Sequence, residues 1–257
     1  MSAAEIKEVA WLLMLIPFGI VLGTGIFFIY CALRRAQARK REATLEAEFN
    51  TPSYNAIPSS YRPFSFEQPT RWLAVKTNSP RYVLEALHLH HMTSCSWEEG
   101  MVEAHDDKLF VSPPISGWIL VVGSGLPDPA EDVDVCYHFL ADLSRKLGHV
   151  QFFDANRVLN HHAWALMDKG DVFRAYAWGG ETLWNQGAMT AAEKELEMTC
   201  YDYGVSSNLF SSKDGLTLNC EKVNQLAARW SVDPTTVPDS AWNAHGVVGE
   251  FSNAWPH

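Results

Sequence analysis

Two hydrophobic patterns divide the chain. The first is unbroken: no Asp, Glu, Lys or Arg occurs between Glu8 and Arg34, which leaves Val9–Leu33 as a charge-free apolar run. At a rise of about 1.5 Å per residue the run reaches roughly 37 Å, longer than a hydrocarbon core of about 30 Å. A core helix of a globular domain would carry a polar face. A secretory signal would begin with basic residues and end at a small-residue cleavage motif after a shorter stretch. Here Glu5, Lys7 and Glu8 precede the run, and basic residues follow it. The pattern predicts a permanent single transmembrane helix over residues 9–33, behind a short extracytoplasmic N-terminus of residues 1–8.

Arg34, Arg35, Arg39, Lys40 and Arg41 cluster after the run, against Lys7 alone before it. Basic flanks stay on the cytoplasmic side, and Trp11 and Tyr30 suit the two interfaces. The expected topology is therefore single-pass in a bacterial inner membrane, with the N-terminus outside and the rest of the chain in the cytoplasm. Gly19 and Gly23 lie four apart on one helix face, where the missing side chains let a second membrane helix approach.

The second pattern is periodic and begins near Arg71. "SPRYVLEALHLH" reads as a helix with Asn78 or Ser79 as N-cap and Pro80 at its first position; Tyr82, Val83, Leu87 and His90 fall at helical spacing. Leu109–Val111 and Trp118–Val122 read as short strands. In "AEDVDVCYHFLADLSRKLG", Val135, Phe139, Leu143 and Leu147 share one face, Arg145 and Lys146 sit near the end, and Gly148 stops the helix. Residues 149–187 then alternate as successive antiparallel strands, with Trp164, Leu166, Phe173 and Tyr176 among the buried positions. Thr190 and Glu193 form a capping box, and "NCEKVNQLAARWSV" is an amphipathic helix ended by Asp233–Pro234. The expected fold is α+β: one soluble domain, residues 71–237, with a mostly antiparallel sheet and flanking helices. Residues 238–257 read as an irregular aromatic tail.

Between anchor and domain, residues 34–70 form a basic stalk and then a linker in which Pro52, Pro58, Pro63 and Pro69 exclude helix and central strand. Its aromatics, Tyr54, Tyr61, Phe64 and Phe66, are unusual for a spacer. Together with Trp242, Phe251 and Trp255 of the tail they are the interaction candidates, because exposed aromatic rings dominate binding hot spots.

Charge narrows the partners. Of 20 Lys and Arg and 30 Asp and Glu, six and five lie in the first fifty residues, which leaves 14 against 25 and a net charge of −11 beyond them. Such a domain repels nucleic acid, so no nucleic-acid partner is expected. Five widely spaced cysteines, with no C-x-x-C pair, suit a reducing compartment rather than a disulfide framework.

Candidate chemistry is thin. His88, His90 and His91, with His161 and His162, are the dense places for metal. His88 and His91 share a face if the segment is helical, yet zinc needs three or four convergent ligands. No metal site and no cofactor is expected. Gly123–Ser124–Gly125 has neither the G-x-S-x-G nor the G-x-G-x-x-G spacing and reads as a strand end entering a turn. Asp132, Asp134, Glu193 and Glu195 read as solvated charges at helix starts. Asp154, Arg157 and Arg174 read as a cross-strand ion-pair network. No nucleophile, base and orienting group assemble, so no catalytic residues are assigned.

Over "ANRVLNHHAWALMDKGDVFRAYAWGGETLWNQG", "MTAAEKEL" and "LAARWSVDPTTV", roughly residues 71–237, the chain resembles a loose set of uncharacterised bacterial proteins of unknown function. The resemblance implies a shared α+β fold and brings no activity or cofactor with it. The expected function is that of a non-catalytic accessory subunit of a larger inner-membrane complex. Respiratory and photosynthetic assemblies are the setting where single-span accessory subunits are common. The partners would be the lipid bilayer and other membrane subunits. Two alternatives stay open: a cytoplasmic ligand- or toxin-binding module of the immunity kind, and a membrane-tethered hydrolase or metal enzyme.

Overall fold

Strand alternation over residues 149–186 builds one half of a single sheet. β5 (His149–Asn156), β6 (His161–Asp168), β7 (Asp171–Trp178) and β8 (Thr182–Gln186) follow as a meander joined by short turns. Lys169 and Gly170 take positive φ in the β6–β7 turn. The other half holds β1 (Arg71–Val75), β2 (His90–Cys95), β3 (Lys108–Val111), β4 (Ile119–Val122) and β9 (Gly246–Glu250). The nine strands lie in the order β2-β9-β3-β4-β1-β5-β6-β7-β8, and each recorded pairing is antiparallel. This computed structural model describes residues 29–30, 32–33, 36, 70–205 and 214–251.

Register fixes the two faces of the sheet. Directly opposed residues form one row across all nine strands: Thr93, Val248, Phe110, Val122, Trp72, Phe153, Trp164, Tyr176 and Asn185. Opposed side chains in an antiparallel pair point the same way, so this row belongs to one face. Over it lie α2 (Trp97–Glu103), α4 (Ala191–Glu195) and α5 (Asp214–Trp230). The opposite face presents Leu73, Val75, Phe152, Ala163, Ala165 and Met167. It packs in one buried cluster with Phe139, Leu140 and Leu143 of α3 (Val133–Leu147) and Val83 of α1 (Pro80–Ala86). The result is helices on both sides of an antiparallel sheet, the α+β class expected from the pattern.

Helix ends follow the residues that signal them. The Asp132 carboxylate accepts from the Asp134 and Val135 amides at 3.0 Å, and Gly148, at φ +85°, ends α3. Both α2 and α4 open on reciprocal capping boxes, Ser96 with Glu99 and Thr190 with Glu193.

Three expectations are corrected. His90 does not continue the first helix. The chain turns through His88 at φ +53° and enters β2, so His88 and His91 share no helical face. Phe173 is only half-buried, because a bulge between the Leu166–Arg174 and Met167–Val172 pairs leaves it extra on β7. The described part of the segment after Pro238, residues 239–251, is not irregular. It forms α6 (Asp239–Trp242) and then β9, which pairs with β2 on one side and β3 on the other. Gly246 admits this close pairing, since a Cβ there would overlap the Phe110 ring.

The expected membrane span over residues 9–33 lies outside the described residues except for Ile29, Tyr30, Ala32 and Leu33, which are helical. Among the described residues no helix is long and apolar enough to cross a membrane.

Candidate functional site

The sheet has two edges, and they differ. Along β8 the Tyr203 hydroxyl accepts from the Asn185 backbone amide at 2.8 Å, and the Tyr201 carbonyl accepts from Thr182 Oγ1 and Asn185 Nδ2. Residues 201–203 therefore lie against that edge and engage its main chain at Asn185. At the other edge no strand among the described residues pairs with the outer side of β2. His90, His91, Met92, Thr93 and Ser94 are all exposed, Met92 at 54%. An open edge offers unpaired backbone amides and carbonyls to another chain.

Beside this edge, where α2 passes over β9 and β3, a depression of about 310 Å³ opens. Thr93, Ser94 and Cys95 of β2 line it with Glu99 and Glu103 of α2, Lys108 of β3, and Val248, Gly249 and Glu250 of β9. His91 reaches it because its φ of +48° sits in the β2–β9 register shift; its Nε2 lies 3.9 Å from Glu250 Oε2. Lys108 Nζ lies 2.7 Å from Glu103 Oε2, a pairing that raises the ammonium pKa. The hydrogen bonds from the Ser96 amide and hydroxyl hold Glu99 below the usual carboxylate range. Burial, then the Glu99 charge, pushes the Cys95 thiol up. A thiol so protonated is a poor nucleophile. The depression offers charge and hydrogen-bonding groups.

The groups that carry chemistry elsewhere are used within the fold. Arg174, expected to pair along the sheet with Asp154, instead meets Glu193: Nε lies 2.7 Å from Oε1, with both side chains almost wholly buried. Trp164 Nε1 donates to the same oxygen at 2.8 Å, while Oε2 accepts from the Thr190 amide and hydroxyl. The expectation of a solvated Glu193 is therefore wrong. A buried arginine on β7 requires a buried anion, and the capping residue of α4 supplies it. Glu195, Asp132 and Asp134 are exposed, as expected. Asp154 pairs with Arg71 at 3.7 Å, and Arg71 reaches Asp128 at 2.6 Å; Arg157 is exposed and stands apart.

The thiols and the buried histidine are similarly occupied. Burial pushes Cys200 up to about 12 and Cys220 to about 11. His162 stacks on Trp164, with Nε2 at 3.2 Å from Asn219 Nδ2 and Nδ1 at 3.5 Å from Cys220 Sγ. Burial, with His161 nearby, pulls it down to about 3, so it is neutral at pH 7.

Two buried groups set opposed pH slopes. Burial pushes Asp154 up to about 7, against the pull of Arg71. Its folded carboxyl keeps a proton that the unfolded chain releases above its ordinary value of 3.8, so stability falls as pH rises through that window. His162 acts the other way: between its unfolded value of 6.5 and about 3 only the unfolded chain binds the proton, so stability falls as pH drops. Each slope reaches about 1.4 kcal/mol per pH unit at most. In urea titrations Asp154→Asn is expected to lose stability more steeply than wild type from about pH 6 to pH 4, because the offsetting slope is gone. Parallel profiles for the two proteins would contradict this.

Of the interaction candidates read from sequence, Trp242 stacks on Trp97 at 5.5 Å and is half-buried, and Phe251 is 4% exposed, edge-on to Phe139. Both rings face their own domain. Tyr54, Tyr61, Phe64, Phe66, Trp255, Gly19 and Gly23 lie outside the described residues. The β2 edge escaped sequence reasoning because its partner strand β9 did. The signal available was "HHMTSC" itself, a polar segment with no apolar alternation that ends at a small buried residue. No protein-family model matches the chain, and no curated protein or solved structure is significantly similar to it.

Proposed function

We propose that this chain is a membrane-anchored, non-catalytic subunit that docks its α+β domain onto other subunits of a larger inner-membrane complex. The observation that carries the reading is the contrast between the two sheet edges: the β8 main chain is met at Asn185 by the Tyr203 hydroxyl, whereas no strand among the described residues pairs with the outer side of β2, beside a charged depression. The placement of the reactive groups supports the non-catalytic part. Arg174, Glu193 and His162 are held in buried contacts, and burial keeps Cys200 and Cys220 protonated. The anchor rests on the charge-free run Val9–Leu33, and the cytoplasmic placement on the basic cluster Arg34–Arg41. Free Cys95, Cys136, Cys200 and Cys220 are in keeping with a reducing compartment.

The topology has a direct test. Protease added to intact spheroplasts is expected to leave the domain uncut, and protease added to inverted membrane vesicles to digest it. Digestion from the periplasmic side would overturn the orientation. A second test concerns the anchor as a packing surface. Gly19→Ile or Gly23→Ile should preserve insertion and weaken association with a partner helix by about 1–2 kcal/mol, whereas Val21→Leu, on another face, should be silent. Partner retention read by co-purification decides it, and unchanged retention would reduce the helix to a tether.

A further inference from the structure

The open edge and the depression beside it define the chemistry of what binds there. Across its outer side β2 can extend the sheet by one strand, and main-chain pairing of that kind supplies affinity while adjacent pockets read alternate side chains. The register shift between His90 and Thr93 confines the straight part of the edge to Thr93–Cys95, so the added strand is short. A bulge near a strand end limits runaway edge-to-edge pairing. Thr93 shares its face with Val248 and Phe110, so a side chain set against Thr93 on an added strand points toward the depression.

Charge selects that side chain. Glu99, Glu103 and Glu250 line the depression against Lys108 and His91. Glu103 and Glu250 are exposed, so water screens their pairings with Lys108 and His91. The surplus is negative, as it is for the chain beyond residue 50. We propose that the β2 edge receives a short extended segment carrying lysine or arginine, the cationic side chain entering the depression between α2 and β9. Resting on the function proposed above, the occupant is the cytoplasmic juxtamembrane segment of a partner membrane subunit, because such segments are enriched in Lys and Arg.

The test uses the full chain in detergent micelles and two end-capped heptapeptides, one alternating lysine with threonine, the other glutamate with threonine. The lysine peptide is expected to bind at least tenfold more tightly, with binding that weakens as salt is raised. Amide exchange is expected to slow within Thr93–Cys95, the straight part of the edge. Glu103→Gln with Glu250→Gln, and separately Thr93→Lys, should each weaken binding about tenfold while the melting temperature stays near wild type. Equal binding of the two peptides, no binding, or protection away from β2 overturns the proposal. So does prior protection of β2 in a concentration-dependent dimer, which would make a second copy the occupant. The two readings fail separately. Peptide binding with a periplasmic domain would leave this site and remove the cytoplasmic partner. A membrane partner retained by Thr93→Lys would leave the function and remove this site.

Discussion

Glu193→Ala is expected to destabilise the domain by about 3–5 kcal/mol, the cost of leaving a buried guanidinium without its anion. Arg174 and Glu193 are 1% and 0% exposed at the side chain, so solvent cannot replace the lost partner. Trp164 Nε1 loses its acceptor in the same step, and α4 loses half of its capping box. The damage should spread toward β8, because Arg174 Nη1 also donates to Asn185 Oδ1 and to the Gln186 and Gly187 carbonyls. Glu193→Gln keeps the shape and an acceptor, so its loss should be smaller. Replacing Arg174 and Glu193 together with Met and Leu should recover part of the loss, since the pair is then gone from both sides. Urea denaturation at pH 7 reads all three variants. A change below about 1 kcal/mol for Glu193→Ala, the range of an exposed pair, would show that the pair is solvated after all.

The second large effect concerns the end of the chain. Deleting residues 239–257 removes β9 from between β2 and β3 and uncovers Phe110, Trp97 and Phe139. Trp97 Nε1 also loses its acceptor, the Ala241 carbonyl. The expected product shows no cooperative thermal transition and has weakened near-ultraviolet dichroism from its tryptophans. The single change Phe251→Ala isolates the core contribution and is expected to cost about 3–5 kcal/mol, as large aromatic truncations do. A truncated chain that melts cooperatively near the wild-type temperature would make β9 dispensable.

Those two cases also mark what the sequence disclosed. The capping box Thr190–Glu193 was legible because its spacing is local, and so was the meander, because period-two alternation fixes both strand and face. Helix α3 was legible from its acidic start, its apolar stripe and Gly148; the capping role of Asp132 was not. What escaped was non-local. Nothing within "MTAAEKEL" says that Glu193 meets an arginine nineteen residues earlier. Arg174 in the middle of "VFRAYAW" did carry a signal, because an arginine inside an otherwise apolar strand needs a buried acid. The tail escaped for a related reason. "GVVGE" is short, glycine-rich and far in sequence from β2 and β3, so its place in the sheet depends on partners that local pattern cannot name. The candidate site inherits that gap, since both its edge and its floor depend on β9.

If the chain works as a bound subunit of a membrane complex, it should leave the membrane with its partner. Native mass spectrometry of the protein, extracted in mild detergent from the native membrane fraction, tests this. The expected species is heavier than the 28.8 kDa chain by the mass of at least one integral membrane subunit, in fixed stoichiometry, and its share falls on Thr93→Lys. A species of the single chain alone, unchanged by that substitution and by gentler extraction, would contradict it.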